Sequence, residues 1–140
     1  MNADQKLDFA SLSKAFEALR RAYLRSQAMP QDEELRDACI QRFEFSFELA
    51  WKMIKRRLER DLANPAELDG MSFKALMRLA SEATLVRTLP NWWVFREMRN
   101  LSSHTYDAQV AAQVYAVIAD FMPECEFLIA QLERKGRADD

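Results

Sequence analysis

The sequence predicts an all-α fold: an antiparallel up-and-down helical bundle of the four-helix type with an extra short helix. Three observations predict it. Apolar residues recur every three or four positions over long stretches, the repeat of a helix with one buried face. Gly is 2 and Pro is 4 in 140 residues, far below the roughly 12% of average usage, so tight hairpins have little to be built from. No stretch shows the apolar–polar alternation of a half-buried strand. At this length a single domain, residues 1–140, is the expectation.

Each element follows from its own residues. Phe9, Leu12, Phe16, Leu19 and Tyr23 form one stripe on a first helix, residues 5–26. Pro30 forbids its simple continuation. Asp32 can cap a second helix whose first turn holds Glu33 and Glu34, where acids suit the dipole. That helix is long, residues 32–62, with Leu35, Cys39, Phe43, Phe47, Ala50, Ile54 and Leu58 as its main stripe. Asn64-Pro65 and Gly70 break the pattern. Ser72 caps a short helix carrying Phe73, Leu76, Met77 and Leu79 inward. Thr88-Leu89-Pro90 opens another with Trp92, Trp93, Phe95 and Met98. Asp107 caps a final long helix with the stripe Val110, Val114, Val117, Phe121, Cys125, Leu128 and Leu132, kinked at Pro123. Residues 134–140 read as a frayed polar tail.

Composition excludes several function classes. Lys+Arg is 20 and Asp+Glu is 22, for a formal net charge of −2, which argues against a protein that coats nucleic acid without specificity. One histidine and two cysteines cannot build a multi-histidine metal site or a zinc ribbon, so no metal and no cofactor is expected. Two glycines leave no glycine-rich phosphate loop. The start of the chain is acidic rather than apolar, and no stretch approaches the ~18 apolar residues of a membrane span. Cys39 and Cys125 lie inside apolar helical patterns and read as buried, reduced thiols of a cytoplasmic protein.

One segment carries more polar chemistry than a helix connection needs: Arg99-Asn100-Leu101-Ser102-Ser103-His104-Thr105-Tyr106-Asp107. His104 is the single imidazole and can exchange a proton near neutral pH. Arg99 can fork onto a phosphate and stabilise charge developing there. Asn100 and Tyr106 can orient either group. Five helical residues rotate by about 140°, so Arg99 and His104 converge only if the helix ends near Ser102–Ser103, or if they meet across a symmetric dimer. An imidazole plus a guanidinium is a minimal set for metal-free cleavage of RNA, whose 2′-hydroxyl is the attacking group. Spacing alone equally allows a plain reading: a capping histidine and a solvated arginine at a helix C-terminus.

A second stretch weighs against the plain reading: Gln41-Arg42-Phe43-Glu44-Phe45-Ser46-Phe47-Glu48-Leu49-Ala50-Trp51-Lys52. The Arg-x4-His-x-Tyr segment resembles the signature of the HEPN superfamily, in particular its HepT-like group, also called nucleotidyltransferase substrate-binding proteins. The second stretch resembles that group's signature in its second helix. The resemblance spans Phe9 to Leu132. It implies a dimeric bundle, a minimal nucleotidyltransferase as partner, and a toxin–antitoxin pair. The HEPN protein is then a metal-independent endoribonuclease, with Arg99 and His104 catalytic, Asn100 supporting, and Tyr106 the acceptor of AMP that silences it. The chain departs from the group at Ser72-Phe73, where Ser-Pro is usual, and over Leu85–Pro90; both concern packing.

The remaining polar residues admit two readings each. Glu44, Glu48 and Arg42 either back the site or form a solvated face, and Glu48, on one strip with Glu44 and Lys52, is assigned to the site. The basic run Lys52, Lys55, Arg56, Arg57 and Arg60 either guides RNA phosphates or is a solvated helix end. Trp51, Trp92 and Trp93 read as core or dimer contacts rather than base-stacking platforms. One imidazole per chain falls short of an acid–base pair, so a ribonuclease built this way needs a homodimer. The alternative is a non-catalytic subunit that binds a nucleotide or docks the transferase.

Overall fold

The computed structural model describes residues 7–139, and all regular elements among them are helical. They are α1 (Ala10–Ala28), α2 (Glu33–Asp61), α3 (Phe73–Glu82), α4 (Leu89–Leu101), α5 (Ala108–Ala116) and α6 (Ile118–Ala138), with 3-10 turns at Pro65–Gly70 and Ser102–His104. Helix α2 spans about 44 Å at 1.5 Å per residue and touches every other helix.

Directions alternate along the bundle. Tyr23 near the end of α1 stacks on Tyr115 at the end of α5, while Ser13 and Glu17 near its start face Ile129 and Glu133 of α6 across a shallow cleft. Trp92 and Phe95 of α4 pack edge-on against Phe121 near the start of α6, and Thr88 reaches Glu124 one turn further on. The core sits where these elements cross: Phe43, Trp92, Phe95 and Phe121 are all fully buried. Their rings meet at centroid distances of 5.1–5.4 Å for Phe43–Phe121, Phe95–Phe121 and Trp92–Phe95, in the edge-to-face geometry that a ring quadrupole favours.

The caps fall where the residue types place them. Asp32 Oδ1 accepts from the Leu35 N–H, Ser72 Oγ from Ala75 and Asp107 Oδ1 from Gln109; each satisfies an otherwise orphaned donor. Both cysteines are free and buried.

Four expectations change. The first helix begins at Ala10 rather than residue 5; residues 5–6 lie outside the described chain. The connection after α2 folds into a 3-10 helix that buries Leu68. The last long helix is two helices, divided at Val117, and Pro123 lies inside α6. A proline removes the donor for the carbonyl four residues back and crowds it, so its effect lies on the N-terminal side, and here the ladder breaks a further two residues upstream. The tail from Arg134 is helical to Ala138. Asp139 pairs with Arg57 at 2.6 Å and Arg60 at 3.3 Å, an anchor that periodicity cannot reveal.

Candidate functional site

Helix α4 ends at Leu101, and the chain tightens into the 3-10 turn Ser102–His104 before Asp107 starts α5. The break is made by side chains that compete for backbone groups. Ser102, itself buried, donates from Oγ to the Arg99 carbonyl at 2.6 Å, and Ser103 Oγ donates to the Asn100 carbonyl. The helix therefore stops between Arg99 and His104.

Arg99 is held from three sides. Its Nε donates to Glu48 Oε1 at 3.2 Å, its Nη1 lies 3.3 Å from Glu44 Oε2, and Nη1 also donates to Ser102 Oγ at 3.3 Å. Glu44 and Glu48 are one turn apart on α2, so both carboxylates face α4. The second oxygen of Glu48 accepts from the Trp51 indole N–H at 3.1 Å. The two sequence stretches, 51 residues apart, thus meet at Glu48–Arg99. Arg42 takes no part: its Nη1 donates to the Ala18 carbonyl and ties α2 to α1.

His104 and Tyr106 project from the turn into solvent. Tyr106 is 87% exposed, and the two rings stand edge to face at 6.0 Å. Asn100 is exposed on the last turn of α4. The site residues therefore form two groups. Arg99, Asn100 and Glu48 border a cavity of about 370 Å³ between α2, the Pro65–Gly70 turn, α3 and α4. His104 and Tyr106 are not among the residues that line it and stand on the turn beyond.

The basic run resolves residue by residue. Arg57 is buried and forks onto Asp61 and Asp139, Arg60 reaches Asp139, and Lys55 pairs with Asp69. Lys52 and Arg56 are left exposed. A continuous phosphate-tracking stripe is not what these residues form. In the sequence Arg96 shares a helix face with Asn100 but has no assigned role; in the structure it lies over the Phe73 ring at 4.7 Å and borders the same cavity as Arg99. The i, i+4 spacing gives that shared face, and the cavity beside it is what spacing does not give.

Chemically, the arrangement offers a guanidinium braced by carboxylates, a solvent-facing imidazole and an unhindered phenol. Among the described residues, no helix is long and apolar enough to cross a membrane.

Comparison with known proteins gives the family and the fold. Residues 7–134 match the family described as nucleotidyltransferase substrate binding protein like. A Haemophilus influenzae protein named "Probable ribonuclease HepT" is 42% identical over 100 residues, covering 71% of this chain and 68% of its own. A solved Haemophilus influenzae structure, described as the fold of a substrate-binding domain of a nucleotidyltransferase, is 35% identical with a TM-score of 0.86, covering 90% of this chain and 99% of that one. A Thermus thermophilus structure is 29% identical with a TM-score of 0.71, covering 86% and 98%. The chain is a HepT-like member of the HEPN superfamily and belongs to the nucleotidyltransferase substrate-binding protein-like family.

Proposed function

We propose that this protein is the toxin of a cytoplasmic toxin–antitoxin pair, a metal-independent endoribonuclease that works as a homodimer and is silenced by a minimal nucleotidyltransferase. The observation that carries the reading is the junction of the two signatures, with Glu48 bracing Arg99 at the root of the turn that presents His104 and Tyr106. The naming of a 42% identical relative as a probable ribonuclease supports it.

In this mechanism the 2′-hydroxyl of RNA attacks the adjacent phosphorus, the bond to the 5′-oxygen breaks, and a 2′,3′-cyclic phosphate remains. Arg99 stabilises the charge building on the phosphate oxygens. His104 of one subunit takes the 2′-hydroxyl proton, and His104 of the other supplies a proton to the leaving oxygen. Asn100 orients the substrate. Silencing forms a phosphodiester between the Tyr106 oxygen and AMP, with pyrophosphate leaving the ATP that the nucleotidyltransferase uses.

Expression of the protein alone tests the reading. The wild type should arrest growth, and His104→Ala should relieve the arrest. Equal growth with both, and intact RNA after incubation with the purified unmodified protein, would sink it. The second reading, a non-catalytic subunit that binds a nucleotide or docks the transferase, is favoured by one observation: Arg99 is already matched by two carboxylates. It predicts a complex with the nucleotidyltransferase but no cleavage.

A further inference from the structure

The cavity beside Arg99 has a feature the proposed mechanism does not use. At about 370 Å³ it falls in the range of roughly 300–1,000 Å³ typical of small-ligand sites. Its cations are not equivalent. Arg99 is matched by Glu44 and Glu48, and Lys55 by Asp69. Arg96 has no carboxylate partner among the described residues; its guanidinium rests over Phe73. An anion entering the cavity therefore meets Arg96 as the charge it can claim without breaking an ion pair. Asn100, one turn further along the same face of α4, adds an amide that both donates and accepts.

The aromatic residues differ in the same way. Trp92 is enclosed by Phe47, Phe95 and Phe121, and Trp93 packs edge-on against Phe73. Trp51 borders the cavity half-buried and has no ring partner among the described residues. Its indole N–H is fixed on Glu48, the carboxylate that also holds Arg99. A flat ring of set orientation, an unclaimed guanidinium and an amide converge on one space, and the arginine assigned to the scissile phosphate stands at its border.

We infer that this cavity is a subsite for one unpaired nucleotide of the RNA chain, the neighbour of the nucleotide whose phosphate is cut. Its base stacks on Trp51, its phosphate meets Arg96, and Asn100 reads its edge. The inference deepens the ribonuclease reading and rests on it for the identity of the chain that enters. Stacking is indifferent to base type, so the subsite selects single-stranded over paired RNA, with Asn100 adding a base preference.

The test is binding of an oligoribonucleotide made non-cleavable by a 2′-deoxy sugar at the cut position, followed through the Trp51 indole N–H resonance and by calorimetry. The single strand is expected to shift that resonance. A duplex of the same sequence should not. Arg96→Gln and Trp51→Ala should each weaken binding about tenfold, and Arg96→Gln should also reduce its salt dependence. Arg96 is exposed, so its variant stays informative if Trp51→Ala folds poorly. Binding that ignores both substitutions, equal binding of the duplex, or binding of free mononucleotides as strongly as the chain would overturn the subsite. Cleavage that still depends on His104 would leave the ribonuclease reading standing in that case. Trp51-dependent binding by a protein that never cuts RNA would do the reverse.

Discussion

Glu48 divides its two oxygens between Arg99 and Trp51: Oε1 accepts from the guanidinium at 3.2 Å and Oε2 from the indole at 3.1 Å. One carboxylate on α2 thereby sets the orientation of the arginine proposed for the phosphate and of the ring proposed for the neighbouring base. Glu48→Ala should release both. RNA cleavage should fall about 10- to 100-fold, the scale of losing a positioned group, with the helical circular dichroism unchanged. Among the described residues, the one ion pair of Glu44 is with the arginine. Glu44→Gln removes one competing charge and should tighten binding of a non-cleavable RNA. Weaker binding by this variant would argue that Glu44 orients Arg99 instead of restraining it.

Tyr106 gives a prediction about control. Its ring is exposed and stands beside His104. Tyr106→Phe removes the acceptor oxygen and nothing else. Co-expressed with the nucleotidyltransferase, it should gain no AMP mass and should stay toxic. An AMP adduct of normal mass on the variant would place the acceptor on another side chain.

The end of α3 carries a testable strain. Thr84 has φ 61°, and its N–H bonds back to the Ser81 carbonyl while Leu85 N–H bonds to Ala80. This is a Schellman closure with a β-branched residue at the left-handed position that favours glycine. Thr84→Gly should stabilise the protein by about 1 kcal/mol, read as a higher denaturant midpoint with an unchanged slope.

The clamp at the end of α6 predicts acid sensitivity. The hydrogen bond from Arg57 holds the Asp139 carboxyl below its ordinary value of 3.8. A carboxyl depressed by folding contributes stability that is fully present above its unfolded value and is lost as pH falls through the folded one. Asp139→Asn should cost about 1–3 kcal/mol at neutral pH, and the difference from wild type should shrink below pH 4. A difference that stays constant into acid would assign the loss to packing.

Burial raises both thiols, Cys125 well above the ordinary range and Cys39 more modestly. The thiolate is the reactive form. Alkylation at pH 8 should therefore be slow in the native protein and rapid after unfolding, with Cys39 reacting before Cys125.

The helices were legible from their apolar stripes, and the starts of α2, α3 and α5 from their caps: Asp32, Ser72 and Asp107 all cap as their residue types require. What stayed illegible depends on partners distant in sequence. Arg57 reads as one of five surface cations, yet it is buried by an aspartate 82 residues away. The break at Val117 has no turn residue to announce it. At the site, Ser102 and Ser103 marked the helix end, because their side chains compete for backbone groups. The place of Arg96 was not legible beyond its shared face with Asn100, because an arginine on an exposed helix face looks the same whether or not a cavity opens beside it.

The reach of the Arg57 fork has a consequence for the nascent chain. A guanidinium buried in the bundle is costly until it is paired, and one of its two acids is residue 139. While the ribosome still holds that residue, α2 carries half of its compensation and α6 lacks its last anchor. The last lock on the bundle forms only once residue 139 has left the exit tunnel, so a bundle of this design completes its architecture after translation of its own message has passed that point.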